Sequence, residues 1–114
     1  MNDDMSQIEA RYDQFISELE SILPKVDVHL AMRMMYLERK FPTVEPNVDL
    51  HIKFKKGVDV QKKEFQINAK FGLGTSSSGD HVRAAGLLNI EGLVKLASHP
   101  DVEKIEGSAT AASY

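Results

Sequence analysis

The sequence predicts an α+β fold, in which a helical N-terminal segment precedes a small domain of alternating strands and helices. Three observations lead to this prediction. Residues 4–22 repeat apolar side chains at helical spacing, residues 48–54 alternate apolar and polar side chains, and prolines at 42 and 46 separate the two regions. We therefore expect a helical extension over residues 1–45 and an α+β domain over residues 46–114.

The first helix is predicted from an apolar seam, a row of residues that falls on one face of a helix. Its members are Met5, Ile8, Tyr12, Phe15, Leu19 and Ile22. The rest of the segment is acidic, with six carboxylates and one arginine before residue 23. The pattern predicts a helix over roughly 4–22. Its seam has three candidate partners: another chain, the second helix or the downstream domain.

A second helix is predicted over residues 26–40, where apolar residues again recur at helical spacing. These residues are Leu30, Met32, Met34, Met35 and Leu37. Pro42 and Pro46 follow as a short linker, because proline does not continue a helix. The two helices together make the extension a helix-turn-helix unit.

The C-terminal region opens with a clear strand and continues with an ambiguous segment. Residues 48–54 alternate apolar and polar side chains, which is the period of a half-buried strand. Residues 58–71 fit a helix behind Asp59 as N-cap, and they fit a strand through Phe65, Ile67 and Phe71 equally well. The residues alone leave both interpretations open.

The remaining elements follow in a simple order. Ser78-Gly79-Asp80 predicts a turn, residues 81–88 a strand, and Asn89 the cap of a helix from 90 to about 98. Val102 and Ile105 anchor the last strand, and residues 107–114 read as a small-residue tail. With a helix over 58–71 the order is β-α-β-β-α-β, which predicts a ferredoxin-like antiparallel sandwich.

Composition and charge exclude several classes of function. The net charge of −3 and the pI near 5.8 favour neither nucleic acid nor an anionic membrane. No apolar run approaches the roughly 20 residues that cross a bilayer. The N-terminus is acidic and unlike a secretory signal, so we expect a cytoplasmic protein, with secretion by another route left open.

Patterns for catalysis or metal binding are weak. Gly72-x-Gly74 lacks the Gly-Lys-Ser/Thr of a phosphate-binding loop, and the four histidines have no ligand spacing. Asp80-His81 beside the serines at 76–78 is better explained by a surface turn than by a catalytic triad. We predict no catalytic residue, no metal site and no cofactor, and hence a protein that is not an enzyme.

A lysine-rich stretch is interpreted as a solvated face rather than an RNA-binding surface, because few aromatic residues lie among the lysines. Its members are Lys53, Lys55, Lys56, Lys62, Lys63 and Lys70.

Three stretches of the C-terminal half form a combined pattern. The first is Gly72 with the turn at 78–80 and the strand behind it. The second, residues 93–106, reads L-x-x-L-A-x-x-P-x-V-x-x-I-E, and the third is the ending Ala-Ala-Ser-Tyr at 111–114. Over residues 47–114 this pattern resembles the subtilisin propeptide and its free-standing inhibitors. The N-terminal helices have no counterpart in that family.

The resemblance implies a binder of subtilisin-like serine proteases that acts as an inhibitor, a folding chaperone or both. In the family the tail lies along the substrate cleft as an added strand. By this resemblance Tyr114 fills the primary specificity pocket and Ala111 a smaller apolar pocket, with Ala112 and Ser113 between them. Glu106 matches a family acid that caps a protease surface helix. Ser108 stands where the family more often has a second acid.

A different class of function stays open beside this one. The chain would then be a non-catalytic interaction module, in which the N-terminal helices associate into a homodimer and the α+β domain serves as scaffold. The seam of the first helix is the observation that favours it, because two or three heptads need other packing to be stable.

Overall fold

The computed structural model describes residues 7, 9–11, 13, 14, 17, 20 and 24–112. Each described residue between 7 and 20 is helical and exposed. The six seam residues of the predicted first helix lie outside the described residues, as do Ser113 and Tyr114. None of the helices described is long and apolar enough to cross a membrane.

Seven elements follow along residues 28–110. They are α1 (Val28–Lys40), β1 (Asn47–Phe54), α2 (Val60–Phe71), β2 (Gly74–Ser78), β3 (His81–Leu87), α3 (Ile90–Ala97) and β4 (Val102–Thr110). The predicted α+β class is confirmed, and residues 58–71 are resolved in favour of the helix. From β1 onward the order of elements is β-α-β-β-α-β.

Each of the three helices begins behind a side-chain cap. Asp27 accepts a hydrogen bond from the backbone N–H of His29 at 2.9 Å. Asp59 accepts one from residue 62 at 3.2 Å and Asn89 one from residue 92 at 2.8 Å. Such caps satisfy N–H groups that have no partner within the helix. The caps predicted at Asp59 and Asn89 are therefore confirmed.

The four described strands form one antiparallel sheet in the order β2-β3-β1-β4. Strand β1 is central, with Ile52 opposite Val82 of β3 on one side and opposite Ile105 of β4 on the other. Strand β3 lies between β1 and β2, so each β-α-β unit of the chain has another strand inserted between its own two strands.

One face of the sheet carries the core. Every second residue of β1 is buried there, and α1, α2 and α3 all contribute buried side chains to the same cluster. The contribution of α1 consists of Leu30, Ala31, Met34 and Leu37. The other face carries polar side chains, which we call the open face: Asp49, His51 and Lys53 of β1, Arg83 of β3, and Lys104, Glu106 and Ser108 of β4.

The prediction that a tail begins at residue 107 is wrong. Strand β4 continues to Thr110 and pairs with β1 along this stretch, with Gly107 opposite Leu50 and Ala109 opposite Val48. Ala109 is buried in the core. The small residues 107–110 suggested an unpaired end of the chain, but in the structure they pair with β1.

The outer edge of β4 is partly covered by the chain that leads into α1. The N–H of Ile105 donates to the carbonyl of Lys25 at 2.8 Å, and the N–H of Asp27 donates to the carbonyl of Ile105 at 3.1 Å. Val26 thus makes a parallel bridge to Ile105. This bridge satisfies the outward-facing backbone N–H and C=O groups of Ile105 and attaches residues 25–27 to the edge of the sheet.

Candidate functional site

Strand β4 presents two of the predicted protease-binding residues on the open face. Glu106 lies opposite His51, Ser108 lies opposite Asp49, and both side chains are exposed. They share a face because they are two residues apart in a strand. The structure therefore brings these two residues together on one exposed surface.

Glu106 forms an ion pair with a neighbour on the same strand. Its carboxylate lies 2.7 Å from the ammonium of Lys104, and this hydrogen bond raises the pKa of Lys104. Both side chains are more than half exposed, so the pair is screened by solvent. Glu106 can exchange this partner for another donor at little cost.

A second ion pair crosses the open face between the central strands. Arg83 donates to both carboxylate oxygens of Asp49, with Nε–Oδ1 at 2.9 Å and Nη2–Oδ2 at 2.6 Å. This hydrogen bonding lowers the pKa of Asp49, and the nearby charges of Arg83 and His51 add to the effect. The middle of the open face thus carries a two-point ion pair between β1 and β3.

The first two residues beyond β4 lie beside the loop between α1 and β1. Ala111 and Ala112 line a small hollow with Leu37 at the end of α1 and with Phe41 and Val44 of that loop. Ala111 is exposed and Ala112 is half-buried. Of residues 111–114, which follow β4 and which we call the tail from here on, the structure thus describes the first two.

A feature that sequence reasoning missed lies on the helical side of the domain. An apolar groove of about 440 Å³ runs between α2 and α3, and we call it the α2–α3 groove. Its floor includes Phe54, Ile67, Leu96 and Val102, all of which are buried. Phe65 stands on its rim with 73% of its surface exposed.

The rim of the α2–α3 groove is basic. Lys63, Lys70, Lys95 and His99 line it, and none of the described residues that line it is a carboxylate. Three of the six lysines of the lysine-rich stretch, Lys62, Lys63 and Lys70, belong to α2, which places half of that stretch on one helix. The signal available in the sequence was Phe65, which falls off the helical face defined by Ile67 and Phe71.

The residues weighed for catalysis do not assemble into a site within the described residues. Asp80 and His81 form an exposed contact of 3.1 Å at the turn between β2 and β3. The serines of β2 are all exposed, on an edge strand whose backbone pairs with β3. Across the described part of the chain no three His, Cys, Asp or Glu residues lie close enough to hold a metal ion.

No family model, curated protein or solved structure matches this chain.

Proposed function

We propose that the chain binds subtilisin-like serine proteases through its C-terminal tail, as an inhibitor or a propeptide-like folding chaperone, and that it is not an enzyme. The observation that carries this proposal is the course of β4. Glu106 and Ser108 share the open face, and the chain leaves the sheet directly after them at Thr110. The tail therefore begins next to the polar open face of the sheet.

The composition of residues 111–114 suits insertion into a cleft. In an extended conformation the four residues beyond Thr110 would span about 13 Å. An extended segment of small residues can add to the edge of a protease cleft by main-chain hydrogen bonds. The aromatic ring of Tyr114 would then provide most of the apolar contact in the primary pocket.

The open face would lie against the protease surface beside that cleft. Glu106 would accept hydrogen bonds from the N-terminus of a protease helix, where negative charge is favoured. The hydroxyl of Ser108 can accept a hydrogen bond in the same way without contributing charge. Lys104 releases Glu106 for this contact because their own pair is exposed.

Binding also has a conformational requirement. Ala112 is half-buried beside Phe41 and Val44, and it must leave this hollow if the tail is to lie extended in a cleft. The apolar surface involved is that of a single methyl group, so the cost is about 1 kcal/mol or less. The described contacts therefore hold the unbound tail only weakly.

The decisive experiment is a titration of subtilisin activity with the full chain and with a chain that lacks residues 111–114. We expect stoichiometric inhibition by the full chain and loss of inhibition on truncation. Equal thermal midpoints of the two chains would show that the fold is unaffected. Absence of inhibition by the full chain would refute the proposal. Gel analysis over time separates an inhibitor from a slowly cleaved substrate.

The α2–α3 groove favours a second candidate function, in which the chain is an interaction module that associates with itself. The exposed ring of Phe65 is continuous with the apolar lining of the groove, and contiguous apolar surface of this kind marks interaction sites.

A further inference from the structure

The α2–α3 groove has the composition of a surface that binds an acidic amphipathic helix. Its floor is made of buried apolar side chains from strands β1 and β4 and from helices α2 and α3. Most of the surface of Phe65 faces solvent, so its ring is available for hydrophobic contact with a partner. Helix-in-groove recognition uses such a floor, with charged residues along the sides.

The lysines on the rim of the α2–α3 groove form few ion pairs with described residues. Lys63 is paired with Asp101 at 2.9 Å. Neither Lys95 nor Lys70 makes an ion pair with a described residue, and the ammonium of Lys70 lies 5.6 Å from the centroid of the Phe71 ring. Lys70 and Lys95 come from different helices, so they supply positive charge on both sides of the groove.

The chain itself contains a segment of matching chemistry. Residues 4–22 combine an apolar seam with an acidic remainder, and the segment up to residue 22 has six carboxylates and one arginine. Its described residues are helical and exposed. A helix of 19 residues would be about 28 Å long, and α2 with its 12 residues extends about 18 Å along the groove.

The attachment of this segment places it near a groove. Lys25 is hydrogen-bonded through its backbone to Ile105, and its ammonium donates to the carbonyl of His99 at 2.9 Å. His99 lines the α2–α3 groove. The segment is therefore attached at the outer edge of β4, from which the Lys25 side chain reaches the groove residue His99, while the groove of the same chain stays open at Phe65.

From these observations we infer that the N-terminal segment of one chain docks into the α2–α3 groove of a second copy. Reciprocal exchange of the two segments gives a closed two-fold dimer, in which both chains use the same surfaces. The seam covers Phe65 and the groove floor, and the carboxylates of the segment face Lys70 and Lys95. This assignment is independent of protease binding, since it uses neither the open face nor the C-terminal tail.

The first test is the mass of the full chain by sedimentation equilibrium. We expect twice the 12.7 kDa of one chain. Replacing Lys70 and Lys95 together by Glu should weaken dimerisation at least about tenfold. The control is Arg39→Glu with Lys56→Glu, which changes the charge equally at exposed positions outside the groove and should leave the dimer intact.

The second test is complementation between two full-length variants. Phe65→Glu damages the groove, and Leu19→Glu damages the seam. Each variant alone should be monomeric, and an equimolar mixture should recover dimers, because one intact groove and one intact segment remain. Phe65 is so exposed that its replacement should leave the thermal midpoint near that of the parent chain. If the midpoint falls, the chain with Lys70 and Lys95 replaced by Glu takes the place of the Phe65 variant as the test of the groove.

Three results would overturn the inference. One is a full chain that stays monomeric at all concentrations, including the case in which it covers its own groove. Another is a dimer unaffected by both groove variants. The last is a mixture of the Phe65 and Leu19 variants that remains monomeric.

Discussion

Gly107 of β4 lies directly opposite Leu50 of β1, at a point where the two backbones approach too closely for a side chain. A Cβ at position 107 would overlap the carbonyl oxygen of Asp49 and lie 3.0 Å from the Cα of Leu50. The backbone there also has a φ of +156°, which residues with side chains rarely adopt. This contact joins the central strand to the strand that carries Glu106 and the tail.

Gly107→Ala should therefore destabilise the domain through the β1–β4 pairing. We expect a loss of about 2–4 kcal/mol, because rigid backbone atoms and not a flexible side chain oppose the added methyl group. Chemical denaturation followed by circular dichroism measures it. Gly74→Ala is the matched control, since its nearest neighbour would be 3.7 Å away. Equal stability of the two variants would contradict the close approach.

Met34 tests whether α1 is part of the core. Its side chain is fully buried among residues of the sheet and of α3. Met34→Ala should lower the free energy of unfolding by about 2–5 kcal/mol, because it removes buried methylene groups and leaves a cavity. Arg39→Ala on the exposed side of the same helix controls for helix propensity. A small effect at Met34 would show that the domain folds without α1.

The Asp49–Arg83 pair predicts a pH-dependent contribution to stability. The pKa of Asp49 is lowered chiefly by its hydrogen bond to Arg83. The stabilisation is thus fully present above the unfolded pKa of about 3.9 and is lost as the pH falls through the folded pKa. Arg83 is exposed and Asp49 is partly exposed, so solvent screens the pair and we expect only a small contribution to stability.

Thermal melts of Asp49→Asn and the parent chain between neutral and acidic pH measure this difference. The gap between the two midpoints should close as the pH falls. Arg83→Gln should show the same behaviour, and the double variant should lose no more than either single variant. Additive losses would mean that the two side chains do not act as a pair.

Tyr114 tests the proposed anchor of the tail. Tyr114→Gly should weaken inhibition of subtilisin by about two orders of magnitude, because the apolar contact of an aromatic ring with its pocket is lost. Tyr114→Phe keeps the ring and should inhibit nearly as well as the parent chain. The inhibition constants of the three chains give the comparison. An unchanged constant for the glycine variant would exclude this anchor.

Glu106 tests the proposed contact of the open face. Glu106→Ala should weaken protease binding about fivefold at low salt, and the difference should shrink as salt is added. Glu103→Ala removes an exposed acid of the same strand that the family pattern does not include, and it should bind as the parent does. If both variants bind equally well at low salt, Glu106 makes no such contact.

The elements that could be predicted from the sequence are those whose signals are local. The alternation of residues 48–54 defined β1, because a half-buried strand requires that period. Asn89 indicated a helix start, since its side chain can satisfy backbone N–H groups nearby in the chain, whereas Asp59 fitted only the helical one of the two interpretations of residues 58–71. Glu106 and Ser108 share a strand face because β4 extends to Thr110, which the sequence did not predict.

The sequence by itself determined the α+β class, the strand at β1, the helix cap at Asn89 and the turn at 78–80, because each depends on residues close together in the chain. Tertiary structure decided the rest. Residues 58–71 carry two apolar periods, and only the packing of Ile67 into the core selects the helix. Residues 107–110 become a strand because β1 supplies hydrogen-bonding partners that no local pattern reveals. The α2–α3 groove exists only because two helices distant in the chain lie on the same side of the sheet, with an apolar floor between them.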